Sequence, residues 1–152
     1  MVGPEVAYRP VPGPARMQVA TSFIRYAGDY YFQLRDFEPG KGATGLVGCF
    51  GGSVRHGEAP LAAVLRELDE EISLRLQPQD LVCLGQVQVV SDRDLRPVLV
   101  DIWVYLTQLS PGQRPQIGVR DGQLVVWPAA DLDRHLDEMT PGTRAACRLL
   151  CV

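Results

Sequence analysis

The stretch Gly52–Leu74, GSVRHGEAPLAAVLRELDEEISL, decides how this chain is read. Its pattern predicts a helix over Glu58–Ile72. Leu61, Leu65, Leu68 and Ile72 are spaced by four, three and four residues and form one apolar stripe. Glu67, Glu70 and Glu71 fall on the opposite side, within about one turn of each other. Pro60 suits the first helical turn, whereas Ala59 is a weak capping residue.

Carboxylates at i, i+3 and i+4 repel one another by roughly a few tenths of a kcal/mol per pair. A divalent cation reverses that sign, because hard cations take oxygen ligands and share them with substrate phosphates. From the residues alone, this face is either a metal cradle for a phosphorylated substrate or a solvated acidic surface.

The acidic pair is embedded in a longer pattern. Gly52, Glu58, Arg66-Glu67-Leu68, Glu70-Glu71 and the aliphatic Leu74 together resemble the Nudix box, with every charged position matched at its spacing. Ser73 stands where that family usually has glycine, a residue that ends a helix by tolerating positive φ. The resemblance implies an α/β fold, an α/β/α sandwich with a mixed β-sheet. It also implies a Nudix-type diphosphatase that needs Mg2+ or Mn2+. Such an enzyme hydrolyses a diphosphate bond in a nucleoside diphosphate linked to another group, a nucleoside triphosphate or a similar nucleotide derivative. The alternative is a nucleotide-binding regulatory module on the same fold, without hydrolysis.

Site residues follow from the resemblance position by position. Glu70 and Glu71 are the expected main metal ligands, with the carbonyl of Gly51. Glu67 is either a third ligand or the base that takes a proton from water. Arg66 is expected to orient a box glutamate through a bidentate ion pair. Glu58 either assists the metal, fixes the loop, or sits as a charge against the helix dipole. Family members often carry a further acid shortly before a strand with a tryptophan, and Asp121 stands in VRDGQLVVW, six residues before Trp127. Asp121 is either an additional ligand or base, or part of an Asp-Gly turn. The expected catalytic groups are therefore Glu67, Glu70, Arg66 and Asp121, and the expected ligands Gly51, Glu58, Glu67, Glu70 and Glu71. Arg25, Arg35 and Arg55 are the candidates to meet substrate phosphate. The proline that marks many ADP-ribose pyrophosphatases past the box is absent, the region reading Gln88-Val89-Val90. By length, the default is a small nucleoside triphosphatase.

The rest of the chain frames this site. Its 152 residues make one domain, Met17–Val152, behind a Pro- and Gly-rich arm, Met1–Arg16. The arm is either packed on the protein or a disordered tail. A formal net charge of -3 disfavours a nucleic-acid polymer or a membrane surface as partner. The expected partner is a small nucleotide, and the resemblance adds a homodimer. Cys49, Cys83, Cys147 and Cys151 form no CxxC, so free buried thiols in a reducing compartment are expected. No apolar run or leader pattern marks the chain for a membrane or for export, and a cytoplasmic location is expected.

Strands are predicted at Met17–Arg25, Tyr30–Arg35, Leu46–Phe50, Leu81–Val90, Val98–Leu106 and Leu124–Trp127. Loops are predicted at Asp36–Gly45, Ser91–Pro97 and Pro111–Gln123, and short helices at Asp131–Glu138 and Thr143–Cys151.

Overall fold

Apolar alternation followed by Ala27-Gly28 folds the start of the chain into a hairpin. In the computed structural model, which describes residues 15–35, 45–93, 96–113, 118–120 and 122–150, β1 spans Ala15–Tyr26 and β2 spans Asp29–Leu34. Ala27 (φ 50) and Gly28 (φ 85) turn between them, both left-handed as a two-residue turn of this kind requires. Ala15 and Arg16, assigned above to the arm, already pair with Val98 and Leu99. The remainder of the arm lies outside the described residues, as do Asp121 and Cys151.

The predicted strand Leu46–Phe50 is two strands, β3 (Val47–Gly48) and β4 (Phe50–Ser53), broken at Cys49. β3 pairs with β2 and β4 with β1, both antiparallel, so this segment bridges the fork where β1 and β2 part. Gly51 and Gly52 therefore lie inside a strand rather than beyond one.

After α1 (Pro60–Ile72), strands β5 (Leu81–Arg93) and β6 (Arg96–Gln108) form a long hairpin. Ladder bonding is a backbone property, so the polar run Ser91–Pro97, expected as a loop, continues both strands until Arg93 pairs with Arg96. β6 runs parallel to β1, and β7 (Gln123–Pro128) lies antiparallel on β2. The result is a mixed sheet of seven strands among the described residues.

Each face carries its own apolar layer. On one, Ala63, Val64, Leu68 and Ile72 of α1 pack on Ala20, Ile24, Tyr31, Phe50 and Tyr105. On the other, Phe23, Phe32, Val104 and Trp127 meet Leu132, Met139 and Ala146. Phe23 stands edge-on to both Tyr30 and Phe32, at 5.9 and 6.1 Å between ring centres. Helical layers thus cover both faces of a mixed sheet, an α/β/α sandwich.

Two predicted helices change form. Ala129–Glu138 is a 3-10 helix, in which residues three apart stand in register. Asp131–Arg134 and His135–Glu138 pair at that spacing. α2 begins earlier than predicted, spanning Pro141–Ala146. Thr140 Oγ1 accepts the Thr143 N–H at 3.2 Å, with Pro141 at the first position.

Candidate active site

The burial of α1 differs from the simple stripe. Leu61 and Leu65 are half-buried, and Ala63 and Val64 are fully buried instead. Glu71 comes two turns after Val64, so it stands at the margin of the buried face rather than opposite it. Glu67 and Glu71, one turn apart, are thereby aimed at β4.

Two glycines make that approach possible. Gly51 has φ 149, and a Cβ there would lie 2.2 Å from the Ala20 carbonyl oxygen. A Cβ on Gly52 would lie 2.5 Å from Glu67 Oε1. Gly51 lets β4 close on β1, and Gly52 leaves the space that the Glu67 carboxylate fills.

Arg66 is the hub of the cluster. Its Nε and Nη2 donate to the two Glu58 oxygens, each at 2.9 Å. Nη1 donates to Glu67 Oε1 at 2.9 Å and reaches Glu70 Oε2 at 3.5 Å, while Nη2 also donates to the Ser53 carbonyl at 3.1 Å. The bidentate partner is thus Glu58, with Glu67 bound through one nitrogen. Glu58 Oε1 accepts the Arg55 N–H as well, at 3.1 Å. Arg66 first, then that amide, hold the Glu58 carboxyl down to about 2. Glu58 does not cap the helix; it straps the turn after β4 to the middle of α1.

Glu71 is perturbed the other way. Burial first, then a hydrogen bond and charge repulsion from Glu67, push its carboxyl up to about 8. The Gly51 amide and the charge of Arg35 oppose this shift. Two carboxyls joined by one hydrogen bond hold a proton between them, and a cation would satisfy the same oxygens.

Among the described residues, no three carboxylate, imidazole or thiol side chains converge as a metal site. The expected ligands are divided: Glu58 and Glu67 face Arg66, Glu67 also faces Glu71, and the Glu70 side chain is 52% exposed. The donors nonetheless suit a hard divalent ion. Glu67 and Glu71 offer oxygens that lack a full counter-charge, and the Gly51 backbone lies beside them.

The expected phosphate contacts are dispersed. Arg35 acts on Glu71, and Arg55 joins the cluster through its amide. Arg25 is elsewhere, its guanidinium 5.7 Å from the Tyr30 ring centre on the other face of the sheet. Asp121 lies outside the described residues. Its neighbours dock on the helix end: Gly118 N–H donates to the Ile72 carbonyl and Arg120 N–H to that of Glu71, both at 3.0 Å. No side-chain pattern signals these contacts, because only backbone atoms make them.

Comparison with known proteins shows the family and the fold. The NUDIX domain family model matches residues 18–146, and the chain belongs to that family. A MutT NUDIX hydrolase from Burkholderia pseudomallei superposes with a TM-score of 0.66 at 22% identity, over 89% of this chain and 98% of that one. A MutT protein from Methanosarcina mazei Go1 gives 0.66 at 17% identity, over 91% and 96%. A bifunctional NMN adenylyltransferase/ADP ribose pyrophosphatase from Francisella tularensis, crystallised with AMP and Mn, gives 0.66 at 17% identity, over 92% of this chain and 42% of that one. No curated protein sequence matches the chain.

Proposed function

We propose that the protein hydrolyses a diphosphate bond in a nucleoside diphosphate linked to another group, such as a nucleoside triphosphate, with Mg2+ or Mn2+. The observation that carries this reading is the half-buried Glu67–Glu71 pair beside the Gly51 backbone, where burial and the Glu67 charge raise the proton affinity of Glu71. Glu67, Glu70 and Glu71, with the Gly51 carbonyl, would hold the ion. When bound, such an ion screens phosphate charge and lowers the pKa of water.

The chain's own residues prepare for that chemistry. Arg66 fixes Glu67 from one side and Glu58 from the other, so the carboxylate keeps its aim as ligand or base. Arg35 places a positive charge at the same edge and meets phosphate oxygens there. Asp121 is the second candidate base; its support is the backbone anchoring of Gly118 and Arg120 on α1.

The test is a panel of nucleoside triphosphates, nucleotide sugars and dinucleotides with Mg2+ or Mn2+, comparing the wild type with Glu70→Gln and Glu71→Gln. At least one substrate is turned over, and each variant loses about 10²-fold or more in kcat. Equal turnover by all three removes the assignment. Tight nucleotide binding without any product identifies the regulatory module instead.

A further inference from the structure

Strand β7 carries two of the large exposed apolar side chains among the described residues, Leu124 at 37% and Val126 at 40% exposure. Their register fixes which face they occupy. Val126 stands opposite Tyr31 and Leu124 opposite Gln33. Tyr31 belongs to the apolar layer under α1, whereas Tyr30, Phe32, Val125 and Trp127 belong to the other layer. Leu124 and Val126 therefore share the α1 face with Tyr31 and Gln33.

Arg35 continues that row. Its N–H donates to the Leu46 carbonyl at 3.0 Å and its carbonyl accepts the Gly45 N–H at 2.9 Å, so the ladder persists past Leu34. Residues 31, 33 and 35 then alternate onto one face. The Arg120 N–H, donating to the Glu71 carbonyl, draws the approach to β7 toward the acidic end of α1. An apolar strip thus leads along the sheet to a guanidinium, and the guanidinium leads to the carboxylates.

We infer that the α1 face of β2 and β7, with Leu124 and Val126 as its apolar surface and Arg35 at its inner end, seats the nucleobase of the substrate. This rests on the hydrolase reading, and it adds where the organic part of the substrate lies. The sequence of chemistry along the strip, apolar then cationic then acidic, matches that of a base followed by its phosphates. Leucine and valine offer no hydrogen bond to a sugar hydroxyl, but they stack on a flat ring.

Calorimetry with Mn2+ tests this on the full-length protein, using a nucleoside monophosphate and ribose 5-phosphate as probes. The wild type binds the nucleoside monophosphate at least about tenfold more tightly. The Leu124→Ser/Val126→Ser protein binds the two probes alike, while Val90→Ser, an exposed valine on β5, retains the preference. Unchanged thermal unfolding of the double variant shows that it is folded. Retained discrimination in the double variant, or none in the wild type, overturns the inference. A fall in solution mass with discrimination intact does so too, by making the strip a contact between copies. Discrimination by the strip together with no turnover of any diphosphate leaves the base seat standing and removes the hydrolase reading.

Discussion

At the scale of single residues, Ser73 shows a local rule overridden by its surroundings. It ends α1 at φ 57, ψ 30, the conformation for which the family uses glycine. Its N–H donates to the Asp69 carbonyl and the next N–H, of Leu74, to that of Leu68, at 3.1 and 3.2 Å. Leu74 is fully buried, and its anchorage holds serine in a backbone region that costs a side chain roughly 1–2 kcal/mol. Ser73→Gly is expected to stabilise the protein by about 0.5–1 kcal/mol, glycine's own flexibility offsetting part of the relief. The urea midpoint measures it, and an unchanged or lower midpoint refutes it.

Glu71 gives a pH dependence at the same scale. Its carboxyl titrates near the ordinary 4.5 when unfolded and near 8 when folded. The folded state therefore binds the proton more tightly. The associated stability is complete below 4.5 and is lost as pH rises through 8. In protein stripped of divalent ions, Tm should fall across this window, and Glu71→Gln should flatten the fall. Adding Mn2+ should flatten it as well, since a bound cation takes over the proton's place. A profile identical in wild type and variant excludes Glu71 as the cause. None of this could be read from the sequence, because repulsion along the helix is visible there but burial against β4 is not.

At the scale of elements, β4 and α1 make a contact whose tolerances are set by two glycines, and the two should fail differently. Gly51→Ala drives a Cβ into backbone of β1, which cannot yield, so loss of soluble folded protein is expected. Gly52→Ala meets only the end of the Glu67 side chain. That variant should fold, with Tm within a few degrees of the wild type, and lose about 10²-fold in kcat as the carboxylate is displaced. Similar losses of Tm in both variants would contradict this reading.

Legibility also varied by element. α1 was evident because its apolar spacing and its charge pattern are both local. The β1–β2 hairpin was legible in the short Gly-bearing connection Ala27-Gly28-Asp29 between two strand-like runs. The break at Cys49 was not, because it reflects a change of pairing partner, from β2 to β1. The start of α2 at Thr140-Pro141 did carry a local signal, a capping threonine followed by proline, but the same residues also read as a turn. The stacking of the Trp127 ring on His135 of the 3-10 helix, at 4.1 Å, was not evident, because it joins residues in different elements.

Across the whole molecule, composition was sufficient for a substantial core, but not for the placement of its thiols. Cys83 proves exposed on β5, whereas Cys49 is half-buried, its thiol pushed well above the ordinary range chiefly by desolvation. Both positions read equally apolar in sequence. Among these two, a thiol reagent applied to the native protein should modify Cys83 first and Cys49 more slowly. Peptide mapping after brief labelling decides it, and early modification of Cys49 would contradict the packing described here.

The parallel pairing of β1 with β6 reaches furthest. Ala15 must wait for Val98, and Arg25 for Gln108, before either has its neighbour. A nascent chain emerging from the ribosome thus carries β1 with the edge that meets β6 unpaired through most of its synthesis. Assembly of this protein is a late, concerted event, and chaperone demand should peak before the second arm of the β5–β6 hairpin is translated.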